Sequence, residues 1–156
     1  MDDPKNDKIV KTIKLKAPIA RVWKAITDHK EFGQWFRVDL DQAFEVGGKS
    51  TGQITYPGHE GIPWVAYIDR MEPEHLFAFR WYDTDDGSPS GSTRSNDDQP
   101  ALLVEFLLEE TTDGTRLTIT ESGFSAQPTP RRIEMMRDNK EGWTIQAENI
   151  AQYLSA

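Results

Sequence analysis

"SGFSAQPTPRRIEMMRDNKEGWTIQAENIAQYLSA", residues 122–156, sets the architecture. Thr129 followed by Pro130 reads as a helix start. The hydroxyl can cap free backbone N–H groups, and the N–H that proline lacks would be unpaired in the first turn anyway. Onward to Leu154 no proline interrupts. Trp143, Ala147, Ile150 and Leu154 recur at spacings of four, three and four, an apolar stripe along one side of a helix. A helix over 130–154 is roughly 37 Å long at 1.5 Å per residue, and its stripe needs an apolar surface beneath it. One residue is out of place. Gly142 stands in mid-helix beside Trp143, where glycine costs about 1 kcal/mol relative to alanine. Either another element approaches closely there, or the glycine leaves room for a guest beside the tryptophan ring.

The surface beneath comes from residues 38–122, where the apolar period is mostly two. "HLFAFRWYD" places Phe77, Phe79 and Trp81 on one side and Arg80 on the other. "ALLVEFLLEE" sets Val104, Phe106 and Leu108 against Glu105 and Glu109. Asp113–Gly114 is a hairpin turn, and "TRLTITES" then puts Leu117 and Ile119 opposite Arg116, Thr118 and Thr120. Earlier strands are read in "RVDLDQAFEVGGK", closed by Gly47–Gly48, in "STGQITYPG" and in "IPWVAYIDRM", bounded by Glu72–Pro73. Short connections make the later strands antiparallel neighbours with one apolar and one wet face. Ahead of them, "KIVKTIKLK" (8–16) is a first strand, and the lysines along it form a solvated face. In "APIARVWKAITD", Pro18 fits the first turn and Ile19, Val22, Trp23 and Ile26 form an amphipathic stripe; "KEFGQWF" is a second short helix. The fold class is therefore α+β: a curved antiparallel sheet of about seven strands around a long C-terminal helix, with two short helices after the first strand. A single domain over 1–156 is expected, with residues 1–7 disordered and 83–99, rich in Gly, Ser and Asp, a long flexible loop.

The formal net charge is −8. That balance argues against nucleic acid, whose phosphates need Lys and Arg, and against anionic membranes. The absence of cysteine excludes disulfides, thiol nucleophiles and thiolate metal sites. With a polar start and no apolar span, a cytoplasmic location is expected. His29, His59 and His75 stand apart, without metal-ligand spacing, and neither a GxSxG elbow nor a P-loop occurs. No metal, cofactor or catalytic residue is assigned. The nearest thing to an acid–base pair is His59 beside Glu60 in "YPGHEGIP".

This order of elements resembles the helix-grip fold of the SRPBCC, or START-like, superfamily. "APIARVWKAITDHKEFGQWF" is similar to the opening motif of the branch related to the activator of the ninety-kilodalton heat-shock protein's ATPase. Pro18, Val22–Trp23, Ala25, Thr27–Asp28 and Trp35–Phe36 fall where that motif expects them. "FEVGG", "FAFRW", "GTRLTITESGF" and "GWTIQAENIAQYL" continue the likeness in order, over about residues 9–154. Members of the superfamily bind lipids, hormones and polyketides, some catalyse cyclisation, and one branch activates a chaperone. The resemblance implies non-catalytic binding of a small hydrophobic molecule between sheet and helix. The alternatives are a stress-response interaction module with a chaperone partner, or a polyketide-cyclase-like enzyme using His59 and Glu60. Monomer and homodimer are both open. The expected cavity residues are Trp35 and Phe36 from the second short helix, Trp64, Phe79, Trp81 and Phe106 from strands, and Trp143, Gln146 and Ile150 from the long helix. A dry, empty pocket of about 300 Å³ would cost roughly 7 kcal/mol. The interior should therefore be filled by its own rings, by water or by a guest.

Overall fold

Strand β1 (Lys8–Leu15) leads into helices α1 (Ile19–Thr27) and α2 (His29–Phe36). Six more strands follow: β2 (Val38–Leu40), β3 (Lys49–Ile54), β4 (Pro63–Glu72), β5 (Leu76–Trp81), β6 (Leu102–Thr111) and β7 (Gly114–Ser122). A 3-10 turn, Phe124–Ala126, precedes α3 (Thr129–Ser155). The computed structural model describes residues 7–81, 101–126 and 129–155. The 83–99 loop and residues 1–6 lie outside the described residues. All seven strands form one antiparallel sheet in the order β1-β7-β6-β5-β4-β3-β2.

The sheet follows from the alternation. On β6 and β7 the residues of one parity (Leu102, Val104, Phe106, Leu108; Leu117, Ile119) are buried, and those of the other are partly exposed. A register shift between Ile68 and Arg70 inserts an extra residue in β4 opposite β5, the kind of bulge that bends a strand and lets a sheet curve. The second strand is shorter than its sequence suggests. Only Val38–Leu40 pairs with β3, and residues 41–48 loop back through the Gly47–Gly48 turn. Phe44 is buried from that loop, against Phe32 and Phe77.

The helices cover the apolar face. Pro18 is the N-cap of α1 rather than its first helical residue, and its carbonyl accepts the first bond from Val22. Asp28 ends α1 and starts α2, its carboxylate accepting from the backbone N–H of Lys30 and Glu31. The Trp35 indole donates to the Ala25 carbonyl at 2.9 Å and locks the two short helices together. Gly123, at φ +104°, makes the turn from β7 towards α3. Asp7, grouped above with the disordered start, is anchored at this corner: its carboxylate accepts from the Ser125 hydroxyl and backbone N–H. The 27 residues of α3 span about 40 Å. Met135, Trp143, Ala147 and Ile150 face the sheet and are buried.

Candidate functional site

Among the described residues, aromatic rings occupy much of the space between sheet and helices. Phe32, Trp35 and Phe36 of α2 project from successive turns into the concave face. They meet Trp64, Phe106 and Trp81 from the strands, and Trp64 in turn meets Phe79; ring centroids within the cluster lie 4.8–6.5 Å apart. These are ordinary edge-to-face and offset-stacked distances. Among the expected cavity residues, Trp35, Trp64, Phe79, Phe106 and Ile150 are buried members of this cluster.

Room remains at the margin of the cluster. A cleft of about 140 Å³ opens between the end of β5, the end of α2 and the middle of α3, lined by Phe36, Trp81, Asp138, Asn139, Gly142, Trp143 and Gln146. Phe36, Trp81, Trp143 and Gln146 were on the expected list. Trp81 and Trp143 stack on one another, with centroids 5.7 Å apart and planes 28° from parallel, and both line the opening. The Phe36 ring stands 6.2 Å from Trp143. Gln146 straps α3 to α2: its Nε2 donates to the Phe36 carbonyl at 3.0 Å, and its Oε1 accepts from Asn149 at 3.1 Å. Gly142 is the floor of the opening. A Cβ built there meets no described atom within 4 Å, so no described element approaches closely enough to require the glycine.

Behind the wall sits Glu121, a fully buried carboxylate on β7. Trp81, reaching across β6 from β5, donates its indole N–H to Oε2 at 2.7 Å; Trp143 donates to Oε1 at 2.8 Å. Asn139 Nδ2 donates to both oxygens, at 3.1 and 3.2 Å. Charge-assisted bonds of this kind are about twice as strong as neutral ones, and here they fix both indoles in their wall orientation. The sequence reading of β7 stopped its alternation at Thr120 and so missed Glu121. The signal was parity, since Glu121 stands two residues on from Ile119. Asn139, one helical turn before Trp143, was missed as well: of the polar residues one turn from Trp143, only Gln146 was among those expected.

The His59–Glu60 pair does not form. Glu60 turns back to accept from the Gly58 N–H at 3.0 Å, while the His59 ring lies beside Tyr56. His75 is an exposed neighbour of Glu72. Among the described residues, no three His, Asp or Glu side chains gather in a way that would hold a metal, and no helix is long and apolar enough to cross a membrane.

A seven-stranded antiparallel sheet closed by a C-terminal helix, with an aromatic cleft where the two meet, defines a helix-grip protein of the SRPBCC type. The chain belongs to the family described as "Activator of Hsp90 ATPase homolog 1-like protein", whose model matches residues 16–155. Solved structures share the fold. Protein MLL2253 from Mesorhizobium loti is 22% identical with a TM-score of 0.74, over 95% of this chain and 96% of that one. A protein from Arthrobacter aurescens is 20% identical with a TM-score of 0.77, over 99% and 90%. DynU16, from the dynemicin biosynthetic locus, is 23% identical with a TM-score of 0.72; the alignment covers 96% of this chain and 48% of that one. At these identities the likeness speaks for the fold alone. No curated protein matches the chain at a significant level.

Proposed function

We propose that this protein binds a small hydrophobic molecule, without converting it, in the cleft between the sheet and α3. The open space over Gly142 carries the reading. Glycine in mid-helix costs about 1 kcal/mol, and with no described atom within 4 Å of its would-be Cβ, close packing among the described residues does not account for it. Its effect is to deepen the cleft beside the Trp143 indole. A volume of about 140 Å³ suits one ring, since an apolar cavity of about 150 Å³ takes up benzene. The guest ring lies against Trp81 and Trp143 and beside Phe36, with Gln146 at the rim. Trp35, Trp64, Phe79, Phe106 and Ile150 support those walls from behind. A larger molecule would seat one ring and extend out of the mouth.

The test is a titration with ring compounds of increasing size, toluene, naphthalene and pyrene, followed by intrinsic tryptophan fluorescence. A saturable response to toluene and naphthalene is expected. Absence of saturation with all three would overturn the proposal.

A further inference from the structure

We propose, resting on the binding reading above, that the guest's ring carries a hydrogen-bond donor, a phenolic hydroxyl or an aromatic amine, and that carboxylate-bearing and acceptor-only rings are disfavoured. The polar atoms lining the cleft decide this. Its two indole N–H groups are the donors a carbonyl or carboxylate guest would want, yet both are held by Glu121, at 2.7 and 2.8 Å. The Asn139 amide nitrogen is also turned to that carboxylate, at 3.1 and 3.2 Å. The amide cannot be flipped, because its oxygen would then face the Glu121 oxygens. The Asn139 carbonyl oxygen is therefore directed away from Glu121, and no described donor satisfies it. Asp138, also lining the cleft, offers only acceptors; it is over half exposed, with the Arg137 Nε 3.6 Å away. Gln146 has committed its oxygen and one N–H, which leaves one N–H.

With Asp138, Asn139 and Gln146 all lining it, the cleft has an amide oxygen and a carboxylate to offer a guest against a single N–H. A hydroxyl satisfies both kinds, donating to Asn139 or Asp138 and accepting from Gln146. An amine satisfies the acceptors. A carbonyl leaves the acceptors unmet, and a carboxylate adds repulsion from Asp138. The indoles of Trp81 and Trp143 offer the same apolar contact to any of these rings, so the polar edge makes the choice.

Calorimetric titration of the full chain with toluene, p-cresol, p-toluidine, p-tolualdehyde and p-toluate separates the two claims, because the five share one ring and one methyl group. One satisfied hydrogen bond corresponds to about fivefold. So p-cresol and p-toluidine should bind about fivefold more tightly than toluene, p-tolualdehyde no better than toluene, and p-toluate least. Failure of all five to bind overturns the site itself. Binding of toluene, p-tolualdehyde or p-toluate as tightly as p-cresol overturns the donor preference and leaves the site standing. Asn139→Leu should bring p-cresol and toluene closer to parity. Asp138→Ala, at an exposed position that does not threaten folding, should narrow the gap in part. A full preference persisting in both variants also overturns the inference.

Discussion

Gly142 offers the sharpest perturbation, because the two explanations for it give stability changes of opposite sign. Its φ is not among the positive values, so alanine fits the backbone, and the added methyl meets nothing described within 4 Å. Gly142→Ala should then recover the helix-interior difference and reduce unfolded-state freedom, raising stability by about 1 kcal/mol. For a domain of this length that is about 2–4 °C in Tm, readable by calorimetry and by the urea midpoint at unchanged m. Gly142→Leu places a branched side chain into a cleft of about 140 Å³. Its stability should equal or exceed that of the native protein, while one-ring probes lose their site. A destabilised Gly142→Ala would mean that the position requires glycine for close approach, contrary to the geometry. A stable Gly142→Leu that still binds toluene would remove the cleft from consideration.

Glu121→Gln, assayed by urea unfolding, should cost about 2–3 kcal/mol, because the new amide N–H₂ faces an indole N–H and leaves a buried donor unsatisfied; a loss under 0.5 kcal/mol would contradict the role given to the carboxylate. Gln146→Ala should lose about 1 kcal/mol with the strap to the Phe36 carbonyl, and hydrogen exchange should quicken at the end of α2 rather than in β6 and β7. The Asp7 carboxyl is held below its ordinary value, chiefly by the Ser125 hydroxyl and then by the Ser125 N–H. Its contribution is present above the ordinary aspartate value and lost as pH falls through the lowered one. Asp7→Asn should therefore reduce stability at neutral pH and shrink the difference from the native protein in acid, as Tm against pH would show.

Much of the architecture was legible because a half-buried sheet and a surface helix each write their burial into the chain at a fixed period. Trp143, Ala147 and Ile150 gave the face of α3, and Phe106 and Ile119 gave that of the sheet. The stretch after Val38 misled because Phe44 and Val46 share a parity without lying in a strand. Phe44 is buried from a loop, and Val46 is 61% exposed. Periodicity also says which side chains turn inward but not how completely they fill the space. For Trp35, Trp64 and Phe106 the pattern gave the inward direction, and only the ring contacts show how they pack against one another and Phe32. Glu121 lay outside a reading that equated inward with apolar, although parity alone placed it. The Gly142–Trp143 pair was the local clue that survived into the candidate site.

Nuclear magnetic resonance of the tryptophan indole N–H groups during a p-cresol titration tests the binding claim most directly. Trp81 and Trp143 wall the cleft, whereas Trp35 and Trp64 are bonded away from it, to the Ala25 carbonyl and the Ser50 hydroxyl. The account expects the Trp81 and Trp143 resonances to move together and saturate while those of Trp35 and Trp64 stay nearly still. Saturable shifts centred on Trp35 and Trp64, or no saturable shift at Trp81 and Trp143, would contradict it.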